Sequence, residues 1–125
     1  MIAGMNHFTV IAEDRQKTLD FYVGLLGLAE GYRPDLGFDG AWLYGGPPQA
    51  ILHLYFDRPP PAQRAGVIDH MAFSASDVKG VKARFDAAGV KYDLRQQKES
   101  GIWQLFTYDP TGAKVELDFD AGESL

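Results

Sequence analysis

The side chains best suited to chemistry in this sequence are four candidate metal ligands that recur at a fixed spacing. They are His7, His53, His70 and Glu116. His53 follows His7 by 46 positions, and Glu116 follows His70 by the same 46 positions. Three imidazoles and one carboxylate suit a borderline divalent ion such as Fe, Mn, Ni, Co or Zn. The pattern predicts one such ion, with coordination positions left over for water or a small-molecule substrate.

The four candidates lie in two copies of one sequence pattern. The segment NHFTV at residues 6–10 corresponds to DHMAF at residues 69–73, and residues 51–57 correspond to residues 114–120. Both correspondences have the same offset along the chain. A repeat of this length predicts two modules with the same fold. We expect a single domain over residues 1–125, whose parts are module 1 (about 1–57), a Pro-rich connector (about 58–65) and module 2 (about 66–125).

Each module is predicted to contain a strand, a helix and three further strands (βαβββ). In module 1, Asp14 is the expected helix N-cap and Gly27 the expected helix end. Apolar residues recur between them at the spacing of one helix face, namely Leu19, Tyr22, Val23 and Leu26. The predicted strands of module 1 lie near residues 6–12, 28–32, 41–44 and 50–56.

Module 2 repeats this plan. Asp77 is the expected N-cap and Gly89 the expected end of its helix. The apolar stripe of this helix consists of Val78, Val81, Phe85 and Ala88. The predicted strands of module 2 lie near residues 67–75, 92–96, 102–108 and 114–119, with a turn at residues 109–112.

Strand alternation places the candidate ligands on the face opposite the apolar residues. Side chains point alternately to the two faces of a strand. Leu52 and Leu54 therefore oppose His53, just as Val115 and Leu117 oppose Glu116. We expect the apolar faces to pack against the helices and the ligands to share the other face.

Composition excludes several classes of function. The chain is 46% hydrophobic, has no cysteine and carries a formal net charge of −5 without a basic cluster. Thiolate chemistry is thereby excluded, and nucleic-acid binding is not expected. We expect neither a signal peptide nor a membrane span, and we expect a cytoplasmic protein.

At these residues the sequence resembles the vicinal oxygen chelate superfamily, which includes glyoxalase I, type I extradiol dioxygenases, and fosfomycin- and bleomycin-resistance proteins. The motifs that carry the resemblance are NHFTV (6–10), FYVGLLGL (21–28), DHMAF (69–73) and DPTGAKVE (109–116). The resemblance implies an α+β fold in which eight strands of two tandem βαβββ modules form a cup around one divalent metal ion, with the helices outside. It also implies a homodimer and a substrate that binds the metal through two vicinal oxygens.

The resemblance leaves three reaction classes open. Extradiol dioxygenases use a His-His-Glu set that matches His7, His70 and Glu116, and they place an acid–base histidine near His53, which slightly favours a dioxygenase. They also have a tyrosine where this chain has Phe106. A glyoxalase- or epimerase-type lyase or isomerase is the alternative. Glyoxalase I has a glutamate at the place of His53, a departure that counts against activity on a glutathione adduct. A non-catalytic drug-binding or resistance protein is the third possibility.

Two of the four candidate ligands also have expected catalytic roles. Glu116 is the sole carboxylate of the set and offsets half of the charge of a divalent ion. His53 is predicted to be either a fourth ligand or a general base. Seven further residues are candidates for substrate binding: Trp42, Tyr44, Tyr55, Trp103, Phe106, Arg33 and Arg95.

Overall fold

The first half of the chain folds into a four-stranded sheet with one irregular helix. A computed structural model describes residues 1–125, in which the first compact unit is Met1–Ala62. Its elements are β1 (Phe8–Ile11), α1 (Arg15–Leu19), a π-helical segment (Asp20–Leu25), β2 (Ala29–Gly31), β3 (Gly40–Tyr44) and β4 (Leu52–Tyr55). The strand order is β1-β4-β3-β2, in which only β1 and β4 are parallel.

The second compact unit, Gln63–Leu125, repeats this topology. Its elements are β5 (Met71–Ser74), α2 (Val78–Ala88), β6 (Asp93–Gln96), β7 (Trp103–Tyr108) and β8 (Lys114–Phe119). The strand order is β5-β8-β7-β6, again with only the outer first strand parallel to its neighbour. The predicted fold class, an α+β protein of two βαβββ modules, is confirmed, and the eight strands form two sheets of four.

The first helix differs from the prediction in its buried face. Asp14 caps it as expected, because its carboxylate accepts a hydrogen bond from Lys17 N at 3.0 Å. The buried residues, however, are Thr18, Phe21, Tyr22 and Leu25, which lie one position before the predicted stripe. This face buries two aromatic rings, Phe21 and Tyr22, whereas the predicted stripe contains only one, so the larger apolar area decides the helix orientation. The π-helical turn lets both rings lie on that face.

The second helix follows its sequence pattern closely. Val78, Val81 and Phe85 are buried, whereas Ala88 is exposed. Asp77 accepts a hydrogen bond from Gly80 N at 3.0 Å, and Gly89 ends the helix with a φ of 65° that favours glycine. Neither helical region is long and apolar enough to cross a membrane.

The strands that carry His53 and Glu116 show the expected alternation. Leu52 and Leu54 of β4 are completely buried, whereas His53 between them is partly exposed. In β8, Val115 and Leu117 are buried on the apolar face. His7 and His70 lie one residue before β1 and β5, so the first hydrogen-bonded residue of each strand fixes the position of the histidine before it.

Candidate functional site

In the first unit, three flat rings form one continuous stack. The imidazoles of His7 and His53 are 3.7 Å apart between centroids and only 14° from parallel. The indole of Trp42 stacks on the other face of His53 at 4.2 Å. Strand pairing explains this contact, because Trp42 of β3 lies directly opposite His53 of β4, and directly paired side chains share a face of the sheet.

The stack keeps the imidazole of His53 neutral. Burial, followed by the nearby charges of His7 and Arg33, lowers the pKa of His53 from 6.5 to about 4. Near pH 7 its ring therefore has a free lone pair for a metal or a hydrogen bond. A group with this pKa is a weak proton acceptor, because general bases work best with a pKa near the operating pH.

In the second unit, His70 and Glu116 contact each other directly. His70 Nε2 lies 2.6 Å from Glu116 Oε2, and Glu116 is only 5% exposed. Gln104 Nε2 donates to the other carboxylate oxygen of Glu116 at 2.6 Å. Burial, and then the neighbouring Glu116, raises the pKa of Asp118. Glu116, Asp118 and His70 thus form a polar cluster on one face of the sheet.

The imidazole rings of His7 and His70 are each held in one orientation by the residue that precedes them in the chain. Asn6 Oδ1 lies 2.7 Å from His7 Nδ1, and Asp69 Oδ2 lies 2.7 Å from His70 Nδ1. An amide oxygen and a carboxylate accept hydrogen bonds, so Nδ1 donates in both contacts. Nε2 is then the nitrogen that faces outward: in His70 it lies against Glu116 Oε2 at 2.6 Å. Metal-binding histidines in proteins are oriented by a bond of this kind at their other nitrogen.

These donors fit a divalent metal ion by their chemistry. Three imidazoles, two of them held at Nδ1 by the preceding residue, and one buried carboxylate are ligands for a borderline ion. Each unit contributes two of them, His7 with His53 and His70 with Glu116. The structure shows no group of three or more His, Asp or Glu side chains placed to hold a metal ion.

The other candidates of the first unit lie around the ring stack. Tyr44 is on the same face of β3 as Trp42, and its hydroxyl donates to the Tyr32 carbonyl at 2.6 Å. Tyr55 lies two residues beyond His53 on β4, with the Arg58 guanidinium 4.0 Å from its ring centroid. Arg33 lies over Phe38 at 4.9 Å, and its buried Nη2 has no hydrogen-bond partner.

In the second unit, Phe106 and Arg95 lie on the face of Glu116, but Trp103 does not. Phe106 pairs directly with Glu116 across β7 and β8, and Arg95 lies 4.7 Å from the Phe106 centroid. Trp103 lies on the same face of β7 as the buried Leu105, and its indole N–H donates to the Glu123 carbonyl at 2.9 Å. The structure therefore gives Trp103 a structural role at the C-terminal segment, away from the face that carries Glu116.

The profile of the Glyoxalase/Bleomycin resistance protein/Dioxygenase superfamily matches residues 4–117. The chain belongs to this superfamily. A curated member from Arabidopsis thaliana, Glyoxylase I 4, is 29% identical over an alignment of 125 positions that covers 93% of this chain and 70% of that protein.

Solved structures of the superfamily share the fold. A glyoxalase family protein from Bacillus anthracis superposes with a TM-score of 0.77 at 18% identity, covering 96% of this chain and 97% of the other. The fosfomycin resistance protein FosX from Listeria monocytogenes superposes with a TM-score of 0.74 at 21% identity, covering 95% and 94%. At these identities the likeness concerns the fold alone.

Four polar residues that lie beside the candidate ligands were not predicted from the sequence to belong to the site. They are Asn6, Asp69, Gln104 and Asp118. The repeat itself contained the signal for the first two, because a hydrogen-bond acceptor precedes the histidine in both copies. Gln104 could be found from strand parity, since it lies two residues before Phe106 and thus on the face of Glu116.

Proposed function

We propose that this superfamily member is a divalent-metal-dependent enzyme that acts on a small molecule with two adjacent oxygens. The observation that carries the proposal is the matched pair of oriented histidines. In both units, the residue before the histidine holds Nδ1 at 2.7 Å, so Nε2 is the nitrogen left to bind a metal; in His70 it already faces the proposed ligand Glu116. A structural histidine needs one hydrogen bond, but a repeated orientation of the same nitrogen is what a metal site requires.

The proposed ligands are His7, His70 and Glu116, with His53 as a fourth. When bound, the ion would supply a Lewis acid and a template for the two substrate oxygens. The ion-pair contact between His70 Nε2 and Glu116 Oε2 at 2.6 Å supports their pairing, because it brings the two proposed ligand atoms together on one sheet face. His53 qualifies because its ring is neutral at neutral pH.

The remaining residues of these faces would position the substrate and the ligands. Gln104 holds one oxygen of Glu116, which restricts rotation of the carboxylate. Trp42 presses on His53 and fixes the plane of its ring. The exposed rim of the indole offers an apolar surface to a bound molecule. Precise positioning of this kind is the main contribution that a protein makes to metal-assisted catalysis.

A lyase or isomerase reaction that moves a proton is the reaction class we favour. The sequence slightly favoured a dioxygenase because His53 could act as its acid–base histidine. A pKa of about 4 makes His53 a weak proton acceptor in either reaction class, so His53 does not distinguish the two. The curated relative at 29% identity is a glyoxalase I protein, which supports the lyase class.

Metal reconstitution followed by two assays tests this proposal. Protein purified without chelator is analysed for metal, stripped, and reloaded separately with Fe, Mn, Co, Ni and Zn. We expect one ion per chain and metal-dependent turnover of the methylglyoxal–glutathione hemithioacetal or a related 2-oxoaldehyde adduct. Oxygen uptake with a catechol in the iron-loaded protein would instead support the dioxygenase. Protein that neither contains nor takes up metal would contradict the proposal and leave the drug-binding alternative.

A further inference from the structure

The second unit contains a cavity on its sheet that none of the proposed ligands fills. Its volume is about 340 Å³, and it is lined by side chains of β6, β7 and the start of β8. This volume is within the range of small-molecule pockets in proteins. The cavity can therefore hold part of a small ligand.

The charge of this cavity is opposite to that of the chain. Lys91, Arg95 and Lys114 line it, and Asp93 is the one carboxylate among the lining residues. The chain as a whole has a formal net charge of −5. Arg95 makes no ion pair, and Lys114 reaches only Asp69, at 3.5 Å. Three cations against one carboxylate in the lining leave a local excess of positive charge, which attracts anions.

An aromatic ring organises the two central cations. The Arg95 guanidinium lies 4.7 Å and the Lys114 ammonium 5.3 Å from the Phe106 ring centroid. Stacking on a ring holds a guanidinium in one plane while leaving its edge N–H donors available. An arginine fixed in this way is suited to bidentate binding of a planar or tetrahedral oxyanion.

The cavity shares the sheet face of the proposed ligand pair. Asp93, Phe106 and Glu116 are direct partners across β6, β7 and β8, so their side chains point to the same side. His70 contacts the edge of Phe106 at a centroid distance of 5.8 Å. Phe106 therefore borders both the cavity and the His70–Glu116 pair, so a molecule bound beside the pair can extend into the cavity.

We propose that this cavity binds an oxyanion substituent, a carboxylate or a phosphate, of the substrate. The substrate class is then a small anionic molecule whose two adjacent oxygens lie a short distance from the anionic group. That the bound anion belongs to a substrate rests on the proposed function. The anion site itself follows from Arg95, Lys114 and Phe106.

Titration with simple anions in the absence of metal tests the site separately from the metal. Inorganic phosphate and benzoate are titrated into the chelator-treated full-length chain at constant ionic strength, with two-dimensional NMR of backbone amides as the readout. We expect saturable shifts centred on β6, Phe106 and Lys114 with at least one probe. Arg95→Gln should weaken binding about tenfold, the loss expected for one hydrogen bond to a charged group.

Arg84→Gln is the matched control, because it removes the same charge from an exposed position on α2. It should change the affinity less than twofold. Equal affinities of the Arg95→Gln and Arg84→Gln variants, or shifts that avoid β6 and β7, would overturn the proposal. Failure of the metal proposal would give a different result: the protein would bind no metal ion, but the titration with phosphate and benzoate would be unchanged.

Discussion

At the scale of single residues, the orientation of the candidate ligands depends on their neighbours in the chain. Asn6 and Asp69 precede His7 and His70 and hold their Nδ1 atoms. The sequence alone singled out the four ligands, because residue type and spacing repeat. It did not single out Asn6 and Asp69 as partners, because a hydrogen bond between adjacent residues depends on the backbone direction at the strand start.

Removal of the Asp69 carboxylate should weaken metal binding. Asp69→Ala leaves the imidazole of His70 free to rotate, and loss of such an orienting partner costs about 10–100-fold in metal affinity. Asp69→Asn should lose less, since an amide oxygen serves His7 in the first unit. Competition with a chelating dye measures the affinities. Glu99→Ala, an exposed carboxylate, is the control, and equal affinities of Asp69→Ala and Glu99→Ala would contradict this role.

His53 should make the metal-free protein less stable in acid. Its pKa is about 4 in the folded chain and about 6.5 in the unfolded chain, so between these values only the unfolded chain takes up the proton. The contribution to stability is therefore complete above pH 6.5 and is lost as the pH falls towards 4. Urea unfolding from pH 7 to 4 should show a steeper loss for the natural chain than for His53→Gln. Parallel curves would argue against a depressed pKa.

At the scale of elements, a buried aspartate holds the turn between β7 and β8. Asp109 Oδ1 accepts hydrogen bonds from the backbone N–H groups of Thr111, Gly112 and Ala113 at 2.8–2.9 Å. The DPTG sequence predicted a turn here, and the structure adds the reason for its rigidity. This turn fixes how β8, and with it Glu116, pairs with β7.

Asp109→Ala should destabilise the fold by about 2–4 kcal/mol, because it leaves several N–H groups without an acceptor in a partly buried turn. Chemical denaturation measures the free energy of unfolding. Asp120→Ala is the matched control, since Asp120 accepts one comparable bond, from Gly122 N, at an exposed site; its cost should stay below about 1 kcal/mol. Similar losses for both variants would show that the Asp109 bonds contribute little.

The positions of the strands could be predicted from the sequence more reliably than the face of the sheet to which each strand side chain points. Period-two alternation in β4 and β8 correctly gave the faces of His53 and Glu116. The repeat offset of 63 would match Trp42 with Leu105, but the pairing with β4 and β8 makes Phe106 its equivalent. A shift of one residue moves a strand side chain to the opposite face. Loop lengths between strands differ in the two halves, so the sequence repeat could not supply this register.

At the scale of the whole molecule, the internal repeat made the fold predictable. Two copies of one pattern, each with its own apolar alternation, required two units of the same topology. The oligomeric state could not be predicted in the same way, because it depends on surface residues rather than on the periodicity of the sequence. The homodimer implied by the family resemblance is a prediction. Light scattering should give a mass twice that of the 13.8 kDa chain, and a mass of one chain at micromolar concentration would contradict it.

Metal content of two ligand variants tests the central claim most directly. The natural chain, His7→Ala, Glu116→Gln and the control Glu99→Gln are purified without chelator, loaded with the metal found in the natural protein, dialysed, and analysed for metal and protein. Circular dichroism confirms that each is folded. We predict one ion per chain in the natural protein and the control, and loss of that ion in both ligand variants. Retention of the ion by Glu116→Gln, or two ions per natural chain, would contradict a single centre that uses ligands of both units.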